Sequence, residues 1–285
     1  MTGFEYHDVA SIDEARALLA EYGDDAHLIA GGTSLVIMMR QGLVRPGHVI
    51  GLRNISGLRG VSATGAGGLS IGAMTTHREV ERSSTARAFF PPLCETFGHV
   101  ATVRIRNQGT VGGNVVHADP AQDPPPMFLA LGAEMEIVGD GETRTVPADR
   151  FFLDYFETAV EPGEILTSIT IPPQREGTRG TYLKFLPQTK DDYATVSVAA
   201  VLHADADGIC TDVRIGLGAL GSTPLRAPKT EAALRGNRLT LALVAEAAAL
   251  VRDEVDPLDD TRGSAKYKRE VARVWTERAL RELLP

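Results

Sequence analysis

Ala30-Gly31-Gly32-Thr33-Ser34 and Thr110-Val111-Gly112-Gly113-Asn114 are the two stretches on which the reading of this 285-residue chain turns. In each, a glycine pair lets successive amide N–H groups converge without Cβ interference. The hydroxyls of Thr33, Ser34 and Thr110 add donors, a combination suited to the oxygens of a diphosphate. The first stretch follows His27-Leu28-Ile29-Ala30 and opens Leu35-Val36-Ile37-Met38-Met39, so a helix start there would present its partial positive charge to the anion. In a chain with 29 glycines either pair alone also reads as an ordinary tight turn; two pairs with matching hydroxyls suggest a dinucleotide.

Composition narrows the field. A chain of 285 residues exceeds one typical domain, and two domains are the default expectation. With 43% hydrophobic and 23% charged residues it reads as an ordinary globular protein. A net charge of −8 argues against a nucleic-acid or anionic-membrane partner, which would repel the protein as a whole. No apolar run approaches the roughly 20 residues that cross a bilayer. Met1-Thr2-Gly3-Phe4-Glu5 has neither the basic start nor the apolar core of a signal peptide, so a cytoplasmic location is expected. The two cysteines, Cys94 and Cys210, are too few and too far apart for a disulfide framework, a zinc site or an iron–sulfur cluster, and read as buried, inert thiols.

Helix and strand signals alternate along the chain. Ser11-Ile12-Asp13-Glu14 and Thr76-His77-Arg78-Glu79 read as capping boxes, the first opening a helix through Leu18, Leu19 and Tyr22 that ends at Gly23. Strands are expected at Leu28–Ala30 and Val49–Leu52, and a hairpin turns at Gly65-Ala66-Gly67-Gly68. A helix from about Pro92 to Val103 should lead into the second glycine stretch. Pro124-Pro125-Pro126 starts an apolar helix, and strands at Glu134–Val138 and Thr143–Pro147 form a second hairpin. Ile171-Pro172-Pro173-Gln174-Arg175-Glu176-Gly177 marks the domain boundary. Beyond it, Tyr182–Phe185, Thr195–His203 and Cys210–Leu217 are spaced as an antiparallel meander. Helices at Leu241–Val255 and Ser264–Leu284 follow, the last with a core stripe of Tyr267, Val271, Val274, Trp275, Ala279 and Leu283.

Three motifs mislead. Gly216-Leu217-Gly218-Ala219-Leu220-Gly221 is a literal G-x-G-x-x-G, but it runs into Ser222-Thr223-Pro224 instead of opening a helix. Gly68-Leu69-Ser70-Ile71-Gly72 matches a nucleophile elbow, yet Ser70 falls within the strand period. His117, Asp119 and Asp123 offer too few ligands for a convincing metal centre and read as loop-capping groups and hydrogen-bond acceptors. No metal site and no catalytic acid, base or nucleophile is expected.

The string Ile29-Ala30-Gly31-Gly32-Thr33-Ser34-Leu35, then Ile105-Arg106-Asn107-Gln108-Gly109-Thr110-Val111-Gly112-Gly113-Asn114 with His117-Ala118-Asp119-Pro120 and Asp123, resembles the FAD-binding medium subunit of the molybdenum hydroxylases. This is the family of xanthine dehydrogenase and aerobic carbon monoxide dehydrogenase. The likeness continues through Ile71-Gly72-Ala73-Met74-Thr75-Thr76-His77, Glu161-Pro162-Gly163-Glu164-Ile165-Leu166 and Asp191-Asp192-Tyr193-Ala194 to Ser264-Ala265-Lys266-Tyr267-Lys268-Arg269, nearly the whole chain in order. It implies an α+β fold: a two-lobed FAD-binding domain of the vanillyl-alcohol-oxidase (PCMH) type over residues 1–174, with lobes of about 1–56 and 57–174. A smaller α/β domain of the carbon monoxide dehydrogenase flavoprotein type, with an antiparallel sheet and helices, is implied over 178–285.

The resemblance also implies a site. Leu28, Ile29, Ala30, Gly31, Gly32, Thr33, Ser34 and Leu35 would contact the FAD diphosphate and ribityl chain. Ala101, Gly109, Thr110, Gly113, Asn114, Val116 and His117 would line the other side. Asp123 would accept from a ribose-type hydroxyl, Ile165 and Leu166 would pack on the adenine side, and Lys184 and Tyr193 would sit near the isoalloxazine. An aromatic ring there would stack on the flavin and control access to its reactive face. Many relatives carry Asp where this chain has Gly51, and Thr33 varies among polar side chains; neither change removes a backbone donor.

The function implied is electron transfer. A molybdopterin cofactor on a large subunit would hydroxylate the substrate, 2Fe-2S iron-sulfur clusters on a small subunit would relay the electrons, and FAD here would pass them on. A dimer of heterotrimers is the expected assembly. Carbon monoxide, an N-heterocycle, a purine or an aldehyde remain open as substrate, and NAD, a quinone or oxygen as acceptor. A self-sufficient flavin-dependent oxidoreductase and a non-catalytic nucleotide-binding protein are the competing readings.

Overall fold

Three parallel strands carry the first glycine stretch. In the computed structural model, which describes residues 3–187, 189 and 191–284, the chain opens with β1 (Glu5–Asp8), α1 (Ile12–Tyr22), β2 (Ala26–Ile29), α2 (Leu35–Gln41) and β3 (His48–Gly51). The strands pair in the order β1-β3-β2, all parallel. Ser11 caps α1 by accepting from the Glu14 amide, and Gly23 ends it at a φ of 51°. Leu28 and Ala30 border a small core of Val9, Ala15, Ala26, Ile50, Leu52, Ile55, Leu58, Met74 and Ile165. Gly51 has its own reason: a Cβ there would lie 2.0 Å from the Tyr6 hydroxyl, so an aspartate would require Tyr6 to move.

The next segment contains β4 (Val61–Ala63), β5 (Leu69–Gly72), α3 (His77–Arg82), α4 (Ser84–Phe89), α5 (Pro91–Gly98), α6 (Val103–Arg106), α7 (Val111–His117) and α8 (Pro124–Leu131). It continues with β6 (Glu134–Gly139), β7 (Glu142–Pro147), α9 (Ala148–Phe151), β8 (Phe152–Asp154), β9 (Glu157–Thr158) and β10 (Ile165–Ile171). An antiparallel sheet of order β4-β5-β10-β6-β7 covers a core that includes Leu69, Ile71, Phe97, Met127, Phe128, Leu131, Met135, Ile137 and Phe151. Both expected hairpins and the Thr76–Glu79 capping box are present. The single helix expected from Pro92 to Val103 is instead α5 and α6. Ala101 adopts a φ of 38° between them, and Thr102 caps the restart.

The last segment holds β11 (Arg179–Phe185), β12 (Val196–Ala204), β13 (Cys210–Gly218), β14 (Leu225–Arg226), α10 (Pro228–Leu234), α11 (Leu241–Ala249) and α12 (Ala265–Glu282). Its antiparallel sheet runs β11-β12-β13-β14. The central strand is apolar throughout because it serves two cores. Ala199 and Val201 belong to the core under α8, whereas Val196, Val198, Ala200 and Leu202 belong to the core under α11 and α12. The buried line of α12 is rotated from the expected stripe: Lys268, Val271, Ala272, Thr276, Ala279 and Leu280 face inward, while Tyr267 is exposed. Lys268 is tolerated there because its Nζ donates to the Leu258 carbonyl and pairs with Asp260 at 2.6 Å.

The G-x-G-x-x-G segment is explained by this packing. Gly216 and Gly218 lie in β13 directly under α8, and a Cβ on Gly216 would stand 1.9 Å from the Pro126 carbonyl oxygen. Gly216→Ala is therefore expected to lower stability by about 1–3 kcal/mol, as overfilled interfaces do. Denaturant melts of the two proteins check this, with no change expected in the urea slope. Ser70 sits in β5, and Cys94 and Cys210 are buried free thiols pushed up in pKa by burial.

Candidate functional site

The two glycine stretches meet. A Cβ on Gly31 would lie 2.1 Å from the Gln108 carbonyl oxygen and 2.9 Å from Gly109 Cα, and one on Gly113 would be 3.5 Å from Ala30 Cβ. The second stretch is anchored from behind. Val111 N–H donates to the Thr75 carbonyl and Gly112 N–H to the Ala73 carbonyl, both at 2.8 Å, and His77 N–H donates to the Gly109 carbonyl at 3.0 Å.

Their amides play different parts. Among the described residues, no hydrogen bond within the chain is donated by the N–H groups of Gly31, Gly32, Thr33 or Ser34, and neither hydroxyl of that loop is engaged. Four consecutive unspent donors in half-buried backbone are a ready anion cradle. Gly32, at a φ of 70°, makes the turn that aligns them. The second glycine pair is not the matching cradle expected from its sequence. It lies in the first turn of α7, with the Gly112 amide spent on Ala73 and the Gly113 amide on the Thr110 hydroxyl at 3.2 Å. Thr110 thus caps a helix by accepting at its hydroxyl oxygen, which leaves the O–H itself free to donate.

What α7 contributes is a face. Gly113, Asn114, Val116 and His117 share its accessible side, while Val111, Gly112 and Val115 are buried. The Asn114 side-chain oxygen is buried and unpartnered, an acceptor without a donor from the chain. Burial lowers the His117 pKa, and its ring lies 5.3 Å from that of Phe156. Ala101 is held by Arg106, whose Nη1 donates to the Val100 and Ala101 carbonyls at 2.9 and 2.7 Å while Nε pairs with Glu81. Arg106 is a positioning residue that sequence reading did not single out, although it stands inside the quoted motif. Only its burial reveals the role.

Asp123 and Lys184 form a buried pair. The Asp123 carboxylate accepts from Tyr182 Oη at 2.5 Å and from Lys184 Nζ at 2.9 Å, and Nζ also donates to the His99 carbonyl at 3.1 Å. The Lys184 side chain is 1% exposed and that of Asp123 6%. Burial pushes the Asp123 carboxyl up to about 6 against the opposing pull of Lys184. Both of its oxygens are thus engaged within the chain, and Lys184 presents no free charge to a ring. Tyr182 was missed, since an alternating strand residue carries no sign of a buried partner.

Tyr193 lies near this pair. Burial raises its pKa first, then the nearby Asp119 and Asp123, and the Arg262 guanidinium stands 6.0 Å from its ring centre, held by Asp192 at 2.9 Å. Ile165 and Leu166 are adjacent in β10 and face opposite cores: Ile165 joins the first sheet's core beneath Leu28 and Ala30, and Leu166 the larger one. The structure therefore gathers Leu28–Leu35 with Gly109–His117 and seats Ile165 below them. His117, Asp119 and Asp123 do not converge into a metal cluster among the described residues.

Comparison with known proteins bears on all of this. Residues 2–174 match the family described as FAD binding domain in molybdopterin dehydrogenase, and residues 181–283 match the CO dehydrogenase flavoprotein C-terminal domain. The chain is 36% identical to the carbon monoxide dehydrogenase medium chain of Hydrogenophaga pseudoflava over 97% of its own length and 96% of that protein. It is 38% identical to the medium chain from Afipia carboxidovorans, over 97% and 95%. A solved structure of the Hydrogenophaga pseudoflava carbon monoxide dehydrogenase superimposes with a TM-score of 0.95 at 37% identity, covering 99% of this chain and 98% of that one.

Proposed function

Because this chain belongs to the FAD-binding medium-subunit family of the molybdenum hydroxylases, we propose that it carries FAD in such a complex and passes electrons from a partner's clusters to an external acceptor. The observation that carries the reading is the run of unspent amides from Gly31 to Ser34 set against the accessible face of α7. A diphosphate supplies the acceptors those amides lack, and the Thr33 and Ser34 hydroxyls extend the same donor set. On the α7 side, Gly113 permits close approach, Asn114 offers its unpartnered oxygen to a ligand hydroxyl, and Val116 and His117 provide contact surface.

Bound FAD would supply one-electron acceptance, twice over, from the clusters and delivery of the stored pair to the acceptor. The chain's own residues hold and shield it. Tyr193, braced by Arg262 and Asp192, covers the redox-active ring, while Asp123 and Lys184 fix the floor through Tyr182 and His99. No protein acid or base is needed for this exchange. The division of labour follows from the two buried cysteines, which cannot bind a cluster. A large molybdopterin-binding subunit and a small iron-sulfur subunit complete the enzyme, assembled as a dimer of heterotrimers in the cytoplasm. No helix among the described residues is long and apolar enough to cross a membrane. The FAD-binding part takes residues 1–174, in lobes of about 1–56 and 57–174, and the second domain 178–285.

The test is an FAD titration of the flavin-stripped chain by fluorescence quenching, with ADP and FMN as competitors. FAD binding well ahead of ADP, with no turnover of small substrates by the lone chain, is the expected result. Equal affinity for ADP and FAD would leave only a nucleotide-binding protein, and turnover by the lone chain would make it a self-sufficient flavoenzyme.

A further inference from the structure

We propose that Glu5, His7 and His48 form a binding site for one divalent transition-metal ion of the zinc class at the edge of the first sheet. None of the three was marked by sequence, since His48 stands 41 residues from His7. The parallel register brings them together. Glu5 pairs with His48 across β1 and β3, and the two-residue alternation of the strand places His7 on the same face as Glu5.

The distances are those of ligands. His7 Nε2 lies 3.0 Å from His48 Nδ1, His48 Nδ1 lies 3.9 Å from a Glu5 carboxylate oxygen, and all three ligand atoms fall within 4.8 Å of one another. Two donors at about 2.0–2.1 Å from a tetrahedral zinc stand about 3.3 Å apart. A small rotation of the exposed Glu5 side chain, with a slight parting of the two half-buried imidazoles, therefore converts the trio into three corners of a tetrahedron, with water at the fourth. Among the described residues no other such group of His, Cys, Asp and Glu exists.

The rings are also held. Tyr22, at the end of α1, stacks on His48 with centroids 3.7 Å apart and planes within 7°, and His7 stacks against both. That backing fixes the imidazole planes as outer contacts do in built metal sites. Two imidazoles and a carboxylate select zinc, cobalt, nickel or copper over magnesium and calcium, which prefer all-oxygen shells. In the apo chain one ring nitrogen of the His7–His48 contact carries a proton. Binding needs both lone pairs, so that proton moves to the outer nitrogen of the same ring and neutral imidazoles are favoured. The site lies at the start of the strands, whereas the glycine loop leaves their far end. It is thus separate from the flavin cradle, and the ion would clip edge strand β1 to β3.

The full, untagged, FAD-loaded chain is titrated with zinc against a chromophoric chelator, and cobalt is added in parallel to read its visible absorption. One zinc per chain and a tetrahedral-type cobalt spectrum are expected. His48→Gln and His7→Gln should each weaken zinc by about tenfold or more, with flavin content unchanged and a raised melting temperature on zinc addition in the parent only. Absence of stoichiometric binding, or binding that neither variant weakens, overturns the site. Because His7→Gln alters only the edge strand, it decides the matter even if His48→Gln misfolds.

Discussion

Gly31→Val is expected to lose FAD. The new side chain would begin 2.1 Å from the Gln108 carbonyl oxygen, so the loop must lift away from the second stretch, and its four unspent amides lose their common aim. Strain of this kind costs about 1–3 kcal/mol. If it falls on the bound state, FAD affinity drops by roughly tenfold to a hundredfold. Thr33→Ala is the control, since it removes one hydroxyl and leaves every amide in place; its cost should be about 1 kcal/mol. The flavin-to-protein absorbance ratio after gel filtration reads both. A Gly31→Val protein that retains flavin as the parent does would show that the loop's aim is not what holds the cofactor.

Asp123→Ala should be the most destabilising change away from the glycine loop. It leaves the Lys184 ammonium, 1% exposed, with only the His99 carbonyl. An uncompensated buried charge costs about 3–5 kcal/mol. The Asp123→Ala, Lys184→Met double variant removes both charges and should regain most of the loss, which a double-mutant cycle by denaturant melts measures. The pH dependence has a worked sign. The Asp123 carboxyl is raised from 3.8 to about 6, so its contribution to stability is fully present below pH 3.8 and is lost as pH rises through 6. His77, buried against Gly109 with an unpartnered Nδ1 and pushed from 6.5 down to about 4 by burial, does the reverse: its contribution holds above pH 6.5 and is lost as pH falls through 4. Each displacement is worth on the order of 3 kcal/mol, so the parent should show a nearly flat profile from pH 4 to 6.5. Asp123→Asn should unmask a steep loss on acidification across that window, and adding His77→Phe should flatten it again.

Local chemistry was legible wherever a few neighbouring residues decide the outcome. The Ser11 and Thr76 caps, both hairpins and the proline start of α8 lie where the sequence signals place them, because a cap or a turn is settled within four or five residues. The first glycine stretch leaves its amides unspent, as a cradle made of its own backbone would require. The second pair misled because the same Gly-Gly serves a loop or a helix start. Ala73, brought from another strand end, and the Thr110 hydroxyl take up the two glycine amides, Thr75 takes that of Val111, and the helix starts there. The α12 stripe was off by part of a turn because the buried Lys268 found two acceptors, the Leu258 carbonyl and Asp260, that no periodicity announces.

By itself, then, the sequence determined the caps, both hairpins, the antiparallel meander of the second domain and the likeness to a flavoprotein family, all of which rest on contiguous residues. The tertiary structure alone decided the rest: Gly31 lying on Gln108, the closure of Asp123 on Lys184 and Tyr182, Gly51 yielding to Tyr6, and the meeting of His7 with His48. Each of these joins residues from different elements, and their distance depends on strand register and helix placement, which are set by burial of the whole core and not by any one segment.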